Sequence, residues 1–321
     1  MLLVPFLKRC WLRIIGTPPQ GVLAVGAVAV LAGCSMVSLG YNRLPDLGLL
    51  WLNRQLPLTD AQSAQARTDM AALLAWHRRT QLPATADLLR RWQNLATGDF
   101  SAAEACGEFT QVRGLLDAIT QQALPAMARL ASGTTPAQLA ELQRTQRKGN
   151  DEFREAHAPQ ARRGWFTPAN AATENPAPPS RLSAQAGLDK RLDTLRDRYS
   201  QLYGPLSDAQ AALLRERLQT SPFQPERTLA ERERRQTELL GVLQSLQTPQ
   251  EAAQAQALVR AWLAGWSASP TPGYAAYAQQ LTRDGCAQFA ALHRTTTPEQ
   301  RAHAVRTLKG YEQDLRALAQ H

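Results

Sequence analysis

Apolar side chains recur along most of this chain at intervals of three and four residues. The clearest run steps from Leu188 through Leu192, Leu195 and Tyr199 to Leu202. This spacing places every member on one face of an α-helix, whereas a half-buried strand alternates apolar and polar residues. No convincing alternating stretch occurs. The pattern therefore predicts an all-α fold, a multi-helix bundle of about nine to eleven helices.

A short pattern marks many of the expected helix starts: a hydroxyl residue, two further positions, then Gln or Glu. It stands at Thr59, Thr135, Ser207, Thr248 and Thr297. This is the spacing of a capping box, in which the first side chain accepts from a backbone N–H and the last reaches back to the cap. We interpret the recurrence as a set of helix N-termini.

Prolines divide the helical pattern. Pro83 and Pro125 lie inside apolar stretches, so we expect each to break or kink its helix. The stretch 157–183 combines five prolines with Ala, Asn, Thr and Ser, which is typical of a linker or long loop. We expect helical parts over 57–156 and 184–321. They form either two lobes or one shared core.

The first 33 residues have the composition of a targeting segment. They contain Lys8, Arg9 and Arg13 and no acidic residue, and an apolar run over 22–30 follows. A run of about ten residues is shorter than the ~20 that span a bilayer, and it suits the apolar centre of a cleaved signal peptide. An uncleaved membrane anchor is the alternative.

The segment ends in Leu31, Ala32, Gly33 and Cys34. Small residues directly before a cysteine resemble the lipobox of bacterial lipoproteins. The resemblance implies cleavage before Cys34, lipidation of its sulfur and a stable membrane anchor. Ser35 stands where Asp favours inner-membrane retention in enterobacteria. We therefore expect an outer-membrane lipid anchor with the body, from a tether over 34–56 onward, in the periplasm; the inner membrane and the cell surface are alternatives.

Two of the four cysteines are accounted for in this way. Cys10 leaves with the signal and Cys34 carries lipid, so Cys106 and Cys286 remain. In an oxidising compartment two remaining thiols tend to pair. We predict a Cys106–Cys286 disulfide; the alternative is two buried, reduced cysteines that pack as small apolar residues.

The chain is basic, with a net charge of +9. Removal of three positive residues with the signal leaves +6 on the mature part. A basic surface can attract an anionic partner such as lipid phosphate, but the arginines are dispersed among acidic residues, which favours an ordinary solvated surface. The expected compartment excludes nucleic acid as a partner.

No sequence motif indicates catalysis, a metal or a cofactor. There is no His-Glu-x-x-His, no Cys-x-x-Cys, no Gly-x-Ser-x-Gly and no P-loop. The most unusual local cluster is Trp76, His77, Arg78 and Arg79, a candidate binding site for an anionic group. The structural alternative, which we favour, has Trp76 packed inside, His77 hydrogen-bonded near a helix end before Pro83, and the arginines in solvent. The charged stretch 226–235 is either a partner surface or an ion-paired helix face.

Several stretches resemble a proteobacterial lipoprotein family known only as a domain of unknown function. They are Gly40-Tyr41-Asn42, Leu49-Leu50-Trp51-Leu52, Gln62, Leu74-Ala75-Trp76-His77-Arg78-Arg79 and Leu206-Ser207-Asp208-Ala209-Gln210. That resemblance implies a location and a helical fold but no activity. In addition, Leu58-Thr59-Asp60-Ala61-Gln62 resembles the Leu-Thr-x-x-Gln signature of the Spy and CpxP periplasmic chaperones, which implies binding of unfolded clients.

The sequence thus predicts a lipid-anchored envelope protein that binds or scaffolds without catalysis. Its partner would be an unidentified envelope protein or an anionic envelope component. A chaperone-like client binder and an enzyme with an unrecognised site are the two alternatives.

Overall fold

The computed structural model describes residues 36–157 and 181–320. Within these ranges the chain forms eleven helices, 85% of it is helical, and there is no strand. The predicted all-α class and the predicted number of helices are confirmed. The lipobox residues Leu31–Cys34 lie outside the described residues, and so does most of the predicted linker.

The helices fall into two groups, one within residues 36–157 and one within residues 181–320. The first group is α1 (Met36–Asn42), α2 (Leu44–Gln55), α3 (Asp60–Leu95), α4 (Ala102–Ser132) and α5 (Pro136–His157). The second group is α6 (Arg181–Tyr203), α7 (Asp208–Gln219), α8 (Pro225–Ser245), α9 (Ala252–Ser267), α10 (Tyr274–Arg294) and α11 (Pro298–Ala319). No helix of the described part is long and apolar enough to cross a membrane.

No helix breaks at either proline, because α3 continues through Pro83 and α4 continues through Pro125; the alternative of a kink stays a prediction. An internal proline costs about 3 kcal/mol, since it removes one hydrogen bond and its ring crowds the preceding turn. In both helices the residue before the proline is deeply buried, with Leu82 and Leu124 each 2% exposed. Tertiary packing of these leucines stabilises the helical course against the local preference.

Capping boxes form at most of the predicted helix starts. Both reciprocal hydrogen bonds are present at Thr59, Thr135, Ser207 and Thr297. The prediction at Thr248 is wrong, because α9 begins at Ala252 after Glu251, whose side chain makes no cap bond. A further box at Ser101 opens α4. The pattern therefore marks four of the five helix starts correctly and places the fifth three residues too early.

The boxes of α3 and α5 are joined through their glutamines. Gln138 Nε2 donates to Gln62 Oε1 at 2.6 Å, and Gln62 Nε2 donates to Gln138 Oε1 at 3.2 Å. Gln138 Nε2 also donates to the Pro57 carbonyl, and Gln62 Nε2 donates to the Gly133 carbonyl. Each amide thus caps its own helix and binds the chain that leads into the other.

The boxes of α7 and α11 repeat this arrangement bond for bond. Gln210 and Gln300 exchange amide hydrogen bonds of 2.8 and 3.1 Å. Gln300 Nε2 donates to the Pro205 carbonyl, and Gln210 Nε2 donates to the Thr295 carbonyl. The paired capping boxes therefore occur twice in the described part of the chain, and α5 and α11, which carry one box of each pair, have 22 residues each.

The two groups of helices are interlocked. The last described helix, α11, packs along α3, α5 packs on α8, and α4 packs on α9 and α10. One core cluster combines Leu124 and Leu139 with Leu243 and Val259. The two groups of helices therefore share their cores.

Candidate functional site: the N-terminal docking junction

The short helix α1 docks where α3 and α11 meet. Tyr41, Leu82 and Leu318 are buried together there. Five partly buried residues surround them: Val37, Leu44, Leu74, Leu315 and Ala319. This apolar contact fixes the first described helix on the body of the fold.

A polar pair lies inside the junction. The Tyr41 hydroxyl is 2.8 Å from Nδ1 of His77. Burial raises the pKa of Tyr41 to about 12, although Arg78 opposes this, and burial lowers the pKa of His77. At neutral pH the phenol therefore keeps its proton and the imidazole is neutral, so the pair is held by a hydrogen bond between two uncharged groups.

Arg78 adds a second link to α1. Its Nη2 donates to Asn42 Oδ1 at 2.5 Å, and its guanidinium lies 5.5 Å from the centre of the Tyr41 ring. Within the described ranges, Arg78 Nε and Gln81 Oε1 are buried without a hydrogen-bond partner. Tyr41-Asn42 and His77-Arg78, two stretches singled out separately in the sequence, are thus partners in one contact.

The four candidate residues of the sequence do not converge on a common site. His77 and Arg78 face α1, Trp76 is half-buried, and Arg79 is exposed. The interpretation of His77 as a residue near a helix end is wrong, because α3 continues to Leu95. His77 and Arg78 hold α1, whose first residue, Met36, lies two positions after the predicted lipidation site.

A disulfide joins α4 to α10 between Cys106 and Cys286, whose Cα atoms are 5.4 Å apart. The predicted pairing is confirmed. Cys286 is 1% exposed, so the bond lies at the buried contact of the two helices.

A buried histidine that sequence reasoning passed over ties three segments together. Nδ1 of His293 is 2.9 Å from the Tyr203 hydroxyl, and Nε2 is 2.7 Å from the Gly98 carbonyl. Its ring stacks on Phe100 at 4.3 Å. Burial lowers its pKa, while the hydrogen bond to Gly98 opposes this shift. With both nitrogens occupied, His293 acts as a neutral structural link; only its position in the apolar face of α10 signalled burial.

The charged stretch 226–235 turns one carboxylate inward. Glu231 is 2% exposed and accepts from Arg234, Arg235 and Thr271 at 2.8–2.9 Å. Burial raises the pKa of Glu231, but hydrogen bonds from Arg234, Thr271, Ser269 and Arg235 outweigh it and bring the pKa to about 2. The stretch therefore fastens the loop before α10 to α8, in addition to forming a charged face.

Two surface depressions accompany these contacts. One lies between α6 and α7, beside Leu192, Arg196 and Arg215; the other adjoins Arg91 and Glu108. In the described ranges, no cluster of three or more His, Cys, Asp or Glu side chains has the geometry to hold a metal ion.

The geometry defines the class: an interlocked, disulfide-linked helical protein whose N-terminal helix is held by a tyrosine–histidine contact. Residues 55–163, about a third of the chain, match a family of unknown function, DUF6279. This match includes Gln62 and Trp76–Arg79 and spans α3, α4 and α5. No curated protein and no solved structure matches the chain.

Proposed function

We propose that this protein is a lipid-anchored lipoprotein of the cell envelope, most consistent with the outer membrane, and that it binds or scaffolds without catalysis. The observation that carries the proposal is the docked α1. It begins at Met36, two positions after Cys34, and Tyr41 and Asn42 fasten it to α3. A lipid on Cys34 would therefore hold the whole body close to the membrane, as a scaffold requires.

The anchor is tested by replacing its sulfur. The full chain with Cys34→Ala, expressed beside the wild type, should lose incorporation of labelled acyl chains and leave the membrane fraction. Ser35→Ala is the matched control, because it changes the neighbouring residue but leaves Cys34 and the disulfide in place. Equal membrane association of wild type and Cys34→Ala would contradict the anchor.

The binding role is tested by photo-crosslinking the anchored protein in cells. Specific crosslinks to one envelope protein, or to an anionic envelope component, support a scaffold. The non-catalytic part of the proposal fails if purified protein turns over an envelope substrate and an equally stable point variant does not.

A second function, chaperone-like binding of unfolded clients, is favoured by an exposed apolar stripe. Phe109 and Leu116 are 54% and 46% exposed and lie seven residues apart on α4, hence on the same face. Exposed apolar side chains in register are the kind of surface that an unfolded chain contacts. The wild type should then suppress aggregation of a denatured client at equimolar amounts, and Phe109→Ser/Leu116→Ser should not. No suppression by the wild type would reject this function.

A further inference from the structure

Two neighbouring apolar side chains point into solvent from α2. Leu50 is 44% exposed and Trp51 is 51% exposed, whereas Leu49 on the same helix and Leu56 at its end are buried. The inner side of α2 packs on α3 and α5. Its outer side therefore carries large apolar groups that the described part of the chain does not cover.

The outer residues form one stripe. Leu47, Leu50, Trp51 and Arg54 are spaced by three and four residues, so they share a face. Arg43 extends this face at the start of α2, with its side chain 74% exposed. The acid beside them, Asp46, lies 3.7 Å from Arg43 and 3.0 Å from Arg67. The stripe is thus apolar at its centre and basic at both ends.

Trp51 differs from the other exposed tryptophan of the described part, Trp266. The Trp266 ring lies 4.9 Å from the Arg235 guanidinium and 5.8 Å from the Trp262 ring. No ring or cation contact is found for Trp51 among the described residues. Its indole is therefore free for a surface that combines apolar and polar groups, as the bilayer interface does.

The stripe is also close to the predicted anchor. Cys34 precedes α1 by two residues, and α1 and α2 are separated only by Arg43. With a rise of 1.5 Å per helical residue, Leu50 lies within about 30 Å of Cys34. A bilayer that holds the Cys34 lipid is therefore the surface nearest to the stripe.

We propose that the outer face of α2 lies on the bilayer surface. Leu47, Leu50 and Trp51 enter the boundary between headgroups and acyl chains. Arg43 and Arg54 extend toward lipid phosphates, since arginine side chains bury their stems and keep the charge at the interface. The inference rests on the proposed lipid anchor. It adds a second contact, which orients the body instead of letting it pivot on one residue.

The test uses the mature protein purified from membranes after expression of the full chain. It is reconstituted into vesicles of phosphatidylethanolamine and phosphatidylglycerol, with part of the lipid brominated near the top of the acyl chain. Flotation measures anchoring, and quenching of tryptophan emission measures contact with the acyl boundary. Trp51→Phe is compared with Trp266→Phe, which removes an equally exposed indole far along the chain.

The proposal expects vesicle flotation of all three proteins, quenching in the wild type and in Trp266→Phe, and loss of that quenching in Trp51→Phe. If the proteins float but no quenching depends on Trp51, the proposed contact of α2 with the bilayer is wrong, whereas the lipid anchor is still supported. If Trp51 is shielded from iodide but not quenched by brominated lipid, a protein surface such as a second copy covers it, and the proposal is wrong. If the wild type does not float with the vesicles, both the lipid anchor and the proposed bilayer contact of α2 are contradicted.

Discussion

The amide groups of Gln62 and Gln138 bond each other in both directions, although 76 residues separate them in the chain. Each amide also serves its own helix start, so both donors and the acceptor of each side chain are occupied. The same arrangement recurs at Gln210 and Gln300. The glutamines of the recurring hydroxyl-x-x-Gln pattern therefore cap their own helices, and they also hydrogen-bond the starts of two helices to each other.

The first prediction concerns the amide pair of Gln62 and Gln138. Gln138→Ala should lower the free energy of unfolding by about 1–3 kcal/mol, because it removes the acceptor of the Thr135 N–H and leaves the partly buried Gln62 amide without its partner. Urea denaturation followed by circular dichroism measures the loss. Gln65→Ala is the control: among the described residues, the side chain of this exposed glutamine of α3 bonds only Asp69, and its replacement should change stability by about 0.5 kcal/mol or less.

The two glutamines should also be energetically coupled. Gln62→Ala/Gln138→Ala should cost less than the sum of the single changes by about 1 kcal/mol or more. Strict additivity would show that the two amides do not depend on each other.

The second prediction concerns the disulfide between α4 and α10. Its cysteines are 180 residues apart, and closing so long a loop stabilises the fold by about 5 kcal/mol in the chain-entropy model. Cys106→Ala/Cys286→Ala should unfold at a much lower urea concentration, and the reduced wild type should match it. Alkylation of both thiols in folded protein without reductant would contradict the pairing.

The third prediction concerns acid stability through Glu231. Its pKa is lowered from the ordinary 4.5 to about 2 in the folded state. The ionised carboxylate therefore contributes stability above the unfolded pKa, and this contribution is lost as the pH falls from about 4.5 toward 2. A shift of this size corresponds to about 3 kcal/mol.

Replacement of Glu231 isolates that contribution. Glu231→Gln should be less stable than wild type at neutral pH and should lose less stability over the acid range; urea midpoints at several pH values measure both. The control is Glu152→Gln, at an exposed position of α5, which should keep the wild-type pH dependence. An unchanged acid dependence in Glu231→Gln would refute the assignment.

The fourth prediction concerns the docking of α1. Tyr41→Phe removes the hydrogen bond to His77 and should weaken the docking of α1 by about 1 kcal/mol. We expect faster amide hydrogen exchange mainly over residues 36–42. Hydrogen–deuterium exchange with mass spectrometry measures it. Tyr311→Phe is the control, because no hydrogen bond of the Tyr311 hydroxyl is found in the described ranges. Equal exchange in both variants would mean that the hydroxyl does not hold α1.

Local features of the sequence predict the helices because they act within one turn. The apolar spacing predicted the class and number of helices, and the hydroxyl-x-x-Gln pattern predicted four of the boxes. The continuous course of α3 and α4 could not be predicted, since it depends on the burial of Leu82 and Leu124 by distant helices. The pairing of capping boxes is likewise a contact between positions 76 and 90 residues apart.

The sequence indicated the two stretches that form the docking junction, but not the contact between them. Gly40-Tyr41-Asn42 and the Trp76–Arg79 stretch each stood out, but the hydrogen bond between Tyr41 and His77 depends on how α1 folds back on α3. The role of His293 could not be predicted, because a buried histidine with two internal hydrogen-bond partners has no local sequence signature. Cys106 and Cys286 were predictable as a pair because the expected compartment left only two free thiols.

The most direct test of the lipid anchor is intact-mass spectrometry of the protein extracted from the membranes of cells that express the full chain. We expect a mature chain that begins at Cys34 and carries a diacylglyceryl group on that residue. A chain that retains residues 1–33, or an unmodified Cys34 in the membrane-extracted protein, would contradict it.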